Sequence, residues 1–343
     1  MSQNTKSKTF TVALSMVICL FFLWAISNNL LSSVVKKMMT LFDIDQAKAE
    51  FVETSYWFAY FLFPIPIAMF MKRYSYKAGI VLGLLIAAVG GLLFLPVTRI
   101  HSFPLYLCAF FIVAIGMCFL ETAANPYVTE LGDPATAPRR LNLAQAFNPI
   151  GALMGMYIVM EFVQSKMSPM TTEERAILPD TQFNILKDND LSVLIGPYLG
   201  LGAACIFLLV LIRLTKMPKA TDTRVNKSIV RAFKELLHIA NYREGIIAQF
   251  FYVGAQVSCW TFIIQYGTRV FMEEGMDEKS AEILSQKYNI IAMVFFTISR
   301  FICTWFLKYI PGGRLLSILA ISSIGLTIGA ILFPDRNGIY CLV

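Results

Sequence analysis

Apolar runs of bilayer length recur along nearly the whole chain, and they leave few folds open. A helix needs roughly 20 apolar residues to cross a membrane. Runs of that order lie at about 10–35, 51–71, 78–96, 104–129, 141–163, 191–214, 245–268, 287–309 and 315–333, and a tenth begins at Ile339. In lipid each run must satisfy its own backbone polar groups, so each is expected to be a helix. Composition agrees: 57% of the residues are hydrophobic and 15% charged, with a mean hydropathy of +0.64. A soluble chain carries about a quarter charged residues.

The run from Phe10 is too long for a signal-peptide core and has no small-x-small cleavage site behind it, so it reads as a retained first span. The loops alternate in charge. Lys6, Lys8, Lys72, Arg73, Lys77, Arg139, Arg140, the stretch from Arg213 to Arg243, Lys308 and Arg314 fall on one side. Glu173, Glu174, Asp180, Asp188, Asp190, Glu273, Glu274, Asp277 and Glu278 fall on the other. Basic loops stay in the cytoplasm, which places the N-terminus there, in an inner (plasma) membrane. Lys36 and Lys37 oppose the rule, with Asp43, Asp45 and Glu50 close behind. The formal charge of +7 is spread over these loops and forms no single stripe, which excludes a nucleic-acid surface.

Six spans precede a basic stretch that contains a short amphipathic segment, Ile229 to Ile239, suited to a membrane surface. The expected organisation is an N-terminal six-helix bundle at 1–214, a cytoplasmic linker at 215–244 and an incomplete C-terminal bundle at 245–343. Two halves joined in this way hold substrate at their interface. The seven cysteines lie in apolar runs without a CxxC pair, and His101 and His238 lack ligand spacing, so neither a disulfide framework nor a metal site is indicated. No catalytic motif is present, so no enzyme and no cofactor is expected.

Ionisable and amide groups at membrane depth call for explanation. Glu121 is an isolated acid in Phe119-Leu120-Glu121-Thr122-Ala123-Ala124-Asn125-Pro126, with Asn125 one turn later. Burial penalises the ionised carboxylate and makes proton uptake accessible near neutral pH. The structural alternative is a Glu locked by hydrogen bonds from neighbouring helices. Asn142, Gln145 and Asn148 recur at three-residue spacing, as Gln249 and Gln256 do at seven, and Asn28 and Asn29 sit in the first span. Amides suit sugar hydroxyls, and they equally suit contacts between helices. Trp24 and Trp260 are rings for stacking on a sugar, or for core and lipid contact. Arg300 is a second buried charge, expected to pair with an acid or to cap the eighth span. The Gly151-xxx-Gly155 and Gly196-xxx-Gly200 spacings are expected to bring helices close.

Several of these runs resemble the fucose permease (L-fucose:proton symporter) family of the major facilitator superfamily. They are Phe21-Phe22-Leu23-Trp24-Ala25 with Asn28-Asn29-Leu30, Pro64-Ile65-Pro66, Lys72 to Ile80, Leu120 to Pro126, Arg140 to Gln145 with Phe147-Asn148, and Ala248-Gln249-Phe250 through Gln256 to Trp260. The resemblance covers nearly the whole chain in order. It implies an all-α major facilitator fold, alternating access, and proton-driven import of a monosaccharide, a fucose-like deoxyhexose or hexose. It implies proton coupling at Glu121 and a sugar cavity at or near Trp24, Asn29, Gln145, Asn148 and Trp260. Asn125 and Gln256 join them as candidates from their spacing. The expected partners are the sugar, protons and the lipid bilayer, and the expected state is a monomer.

The sequence departs from the family in two places. An Asp that the fucose permeases carry in the first helix is absent, with Leu31-Ser32 in the corresponding run, and Glu53 is the nearest alternative carboxylate. The family has twelve helices, so a fold truncated after about nine is expected. These departures motivate two other readings, an uncoupled sugar facilitator and a non-transporting remnant.

Overall fold

A computed structural model describes every residue except 1–2, 43, 45–47, 49–50, 101, 169, 171–174, 176, 178, 216 and 219–228. At 3–9, 32–41, 97–98, 164, 180, 229–230, 261 and 279 it describes the backbone alone. Asp43, Asp45, Glu50, His101, Glu173 and Glu174, and the side chains of Lys6, Lys8, Ser32, Lys36, Lys37 and Asp180, therefore lie outside the described residues, as do linker residues 216 and 219–228.

The described residues are all-helical, in chain order α1 (Gln3–Phe42), α2 (Phe51–Leu62), α3 (Pro64–Arg73), α4 (Tyr76–Ile100), α5 (Phe103–Glu130), α6 (Ala137–Gln145), α7 (Phe147–Ile158), α8 (Asp180–Leu214), α9 (Ile229–His238), α10 (Ala240–Glu273), α11 (Glu278–Phe306), α12 (Gly312–Leu332) and α13 (Arg336–Leu342). A π-helical turn, Val159–Gln164, continues α7. Seven helices are long and apolar enough to cross a membrane, or up to nine if each of two bent pairs is one span. The chain packs as two units, Met1–Asp222 and Thr223–Val343, and the division falls inside the expected linker.

Prolines explain where the helices of the first unit break. Pro64 and Pro66 have no N–H to offer the carbonyls of Tyr60 and Leu62, and α2 and α3 meet at a 43° bend. Pro149 likewise leaves the Gln145 carbonyl without its helical donor, and α6 ends there. Small residues then set the packing. Gly116 of α5 lies so near Ala87 of α4 that a Cβ would overlap its backbone, and Gly151 of α7 is as close to the Phe22 carbonyl of α1. The second glycine pair behaves otherwise. Gly196 and Gly200 of α8 have no neighbour within 4 Å of a built Cβ and open on a lateral groove of about 630 Å³ lined by Leu23, Ile26, Phe162 and Lys166.

Two charges read as loop charges are buried. Arg140 donates from Nη1 to the Asp133 carbonyl at 2.8 Å, from Nη2 to the Thr129 carbonyl at 3.0 Å and from Nε to the Val128 carbonyl at 3.3 Å. It thereby satisfies orphan carbonyls at the C-terminus of α5. Asp190 pairs with buried Arg175 and accepts from the Ser168 amide at 2.9 Å, and α8 begins ten residues before it.

In the second unit α10 packs on α11 through Val270, Phe271 and Ala281, with Ile339 of α13 against them. Arg336 and Glu274 form an ion pair at 2.7 Å, which holds the guanidinium above its usual range.

Candidate functional site

The acid singled out in the first unit is Glu121. It lies in the middle of α5, partly accessible, with buried Leu120, Ala123 and Ala124 around it. Among the described residues its carboxylate takes part in no hydrogen bond or ion pair, so the locking contacts of the structural alternative are not observed. In α2, Tyr56 and Tyr60 stand one turn apart. These rings stack at 5.5 Å. Tyr60 accepts from Trp24 Nε1 at 2.7 Å, and Tyr56 donates to Asn28 Oδ1 at 2.7 Å. One turn along α5, Asn125 Nδ2 donates to the Glu121 carbonyl at 3.1 Å, and Asn125 Oδ1 accepts from Gln145 Nε2 at 2.9 Å.

Of the expected residues, Glu121, Asn125 and Gln145 are therefore linked across α5 and α6, and Trp24 belongs to a cluster with Asn28, Tyr56 and Tyr60 across α1 and α2. Asn29 lies on α1. Its amide donates to Ala25 of its own helix at 3.0 Å, and its Cβ sits where Gly155 of α7 leaves room. Asn148 is half-buried in the first turn of α7, beyond the break after Gln145.

The remaining two candidates are on α10 in the second unit. Gln256 is half-buried and Trp260 exposed. Trp260 meets the Phe296 ring edge-on at 5.3 Å, and the Arg300 guanidinium lies over the same ring at 4.8 Å. An aromatic face is thus a neighbour of Arg300, where the sequence names no acid. The first set offers a carboxylate, amides, hydroxyls and an indole ring, a chemistry suited to a neutral polyol and to a proton.

Residues 16–343 match the Major Facilitator Superfamily. The chain belongs to this superfamily. Like its relatives, this facilitator is a multi-pass membrane protein. It is 36% identical to the L-fucose-proton symporter of Haemophilus influenzae, an alignment covering 100% of this chain and 80% of the relative. It is 32% identical to the Escherichia coli L-fucose-proton symporter over 94% of this chain and 73% of the relative. A Brucella abortus glucose/galactose transporter is 30% identical over 94% of this chain and 73% of its own length. The crystal structure of the Escherichia coli fucose:proton symporter superposes with a TM-score of 0.87 at 31% identity, covering 97% of this chain and 80% of that one. A second structure of that symporter, in the outward conformation, gives 0.86.

Tyr56 and Tyr60 are the members of the Trp24 cluster that sequence reasoning missed. Their i, i+4 spacing places both hydroxyls on one face of α2, and that signal was available. The position of the absent family Asp is at Leu31-Ser32, where the Ser32 side chain lies outside the described residues.

Proposed function

We propose that this facilitator imports a neutral monosaccharide, a deoxyhexose or hexose, by symport with protons, and that Glu121 is the group that carries the proton. The observation that bears the reading is the carboxylate itself: half-buried, without a hydrogen bond or ion pair among the described residues, and one turn from Asn125 on the same helix. A carboxyl already locked by donors would have no reason to exchange its proton, whereas one left to respond to solvent and substrate has. Trp24, Asn125 and Gln145 then serve the sugar, with Asn29, Asn148, Gln256 and Trp260 as further contacts. The names of the relatives, L-fucose-proton symporters and a glucose/galactose transporter, support this substrate class. We further take 1–214 and 245–343 as the two halves joined by the linker 215–244, in a monomer of the inner membrane with a cytoplasmic N-terminus.

The purified chain, reconstituted in vesicles under an inward proton gradient, is expected to accumulate labelled L-fucose, D-galactose or D-glucose. A proton ionophore is expected to collapse the accumulation to simple equilibration. Accumulation of none of these sugars would remove the substrate assignment.

The missing first-helix Asp supports a second reading, an uncoupled facilitator. It predicts sugar flux that only equilibrates, and sugar-induced alkalinisation of a weakly buffered suspension would exclude it.

A further inference from the structure

The first helix of the second unit, α9, is built for a charged surface. In α9, the sequence Ile-Val-Arg-Ala-Phe-Lys-Glu-Leu-Leu-His divides into two arcs at 100° per residue. Phe233, Leu236 and Leu237 lie on the apolar arc and are exposed. Arg231, Lys234, Glu235 and His238 make up the other. Arg231 is paired with Glu235 at 3.5 Å, an exposed contact.

Two further observations specify what the apolar arc meets. The first is distance. Only Ile239, with extended backbone, separates α9 from α10, a membrane-spanning helix. The C-terminus of α9 is therefore held at the depth where the span begins. The second is charge. From Arg213 to Arg243 the chain carries eight Lys and Arg residues against two acids, nearly the whole excess of a chain whose net charge is +7. The stretch also starts at the membrane: Lys77 Nζ donates to the Thr215 carbonyl at 2.7 Å and Tyr127 donates to the Pro218 carbonyl at 3.1 Å, fixing its first residues to the end of the first unit.

We propose that α9 lies in the headgroup layer of the leaflet at this end of the spans, with Phe233, Leu236 and Leu237 among the acyl chains and Arg231 and Lys234 on the phosphates of anionic phospholipid. An amphipathic helix of this kind binds through its buried apolar area and its attraction to anionic lipid together. Each basic residue near such a leaflet adds about 1 kcal/mol, about fivefold in partition. The proposal depends on the position of α9 beside a span and does not depend on which sugar is carried.

The test uses the full chain in nanodiscs of phosphatidylcholine, with and without phosphatidylglycerol. Nitroxides are placed singly at positions 233 and 234 after replacement of the native cysteines, and their accessibility to oxygen and to a water-soluble nickel chelate is compared. The expected result is an oxygen-accessible, lipid-embedded label at 233 and a chelate-accessible one at 234. The embedded population at 233 should rise with phosphatidylglycerol and fall about fivefold for each of Arg231→Gln and Lys234→Gln. A second measurement keeps all seven cysteines. The added fluorescence of a Phe233→Trp chain over its parent should be quenched by brominated phospholipid. Equal chelate access at both positions, shielding of 233 from both relaxants by packing on protein, or indifference to phosphatidylglycerol would each overturn the proposal.

Discussion

Gln145 Nε2 donates to Asn125 Oδ1 at 2.9 Å, and through it the short helix α6 is tied to the turn of α5 that carries Glu121. The bond joins helices across a connection of six residues. It makes the acid and the amides one unit, so a sugar hydroxyl that competes for Gln145 acts on the backbone next to Glu121.

This coupling predicts how substitutions combine. Gln145→Ala and Asn125→Ala should each raise the sugar concentration for half-maximal uptake by about fivefold, the worth of one hydrogen bond of about 1 kcal/mol. The double variant should be little worse than either, because each change breaks the same link. Multiplying effects in the uptake kinetics would show the two amides acting separately.

Trp24 and Tyr60 form the corresponding link between α1 and α2, at 2.7 Å. Trp24→Phe keeps a ring and removes the N–H. It should lower unfolding stability in detergent by about 1 kcal/mol, as should Tyr60→Phe, again without additivity. Thermal unfolding of the three variants provides the check, and an unchanged midpoint in both single variants would remove this contact from the account.

Arg140 offers a test of what its charge is for. If it only marks topology, Arg140→Lys is neutral. Its fork instead meets the carbonyls of Val128, Thr129 and Asp133, which an ammonium reaches incompletely. The Lys variant should insert with unchanged orientation yet lose about 2 kcal/mol of stability, by the usual worth of hydrogen bonds to charged groups. Cysteine-accessibility mapping reads the first and thermal unfolding the second.

Gly151 sits against the Phe22 carbonyl, a rigid neighbour. Gly151→Val should force α7 away from α1 at about 1–3 kcal/mol. Gly200→Val, at an open position, should change stability little. A midpoint shift as large for Gly200→Val as for Gly151→Val would contradict this packing.

The helices were legible because the bilayer imposes their length, and Glu121 because an acid in an apolar run has few innocent explanations. What stayed hidden depended on direction. Tyr56 and Tyr60 look in sequence like any aromatic at a lipid face, and only the fold aims their hydroxyls at Trp24 and Asn28. Charge counting treats Arg140 and Asp190 as solvated, since it cannot register that a neighbouring carbonyl set or Arg175 encloses them. The glycine spacing at 151 and at 196 is the same, yet only the first has a helix in front of it.

The role of Glu121 is tested most directly by sugar-coupled proton movement in Glu121→Gln. The amide keeps the shape and cannot exchange a proton. The variant is expected to retain sugar exchange across the membrane while losing both accumulation against a gradient and sugar-induced alkalinisation. Accumulation and alkalinisation at the level of the unmodified chain would contradict the account.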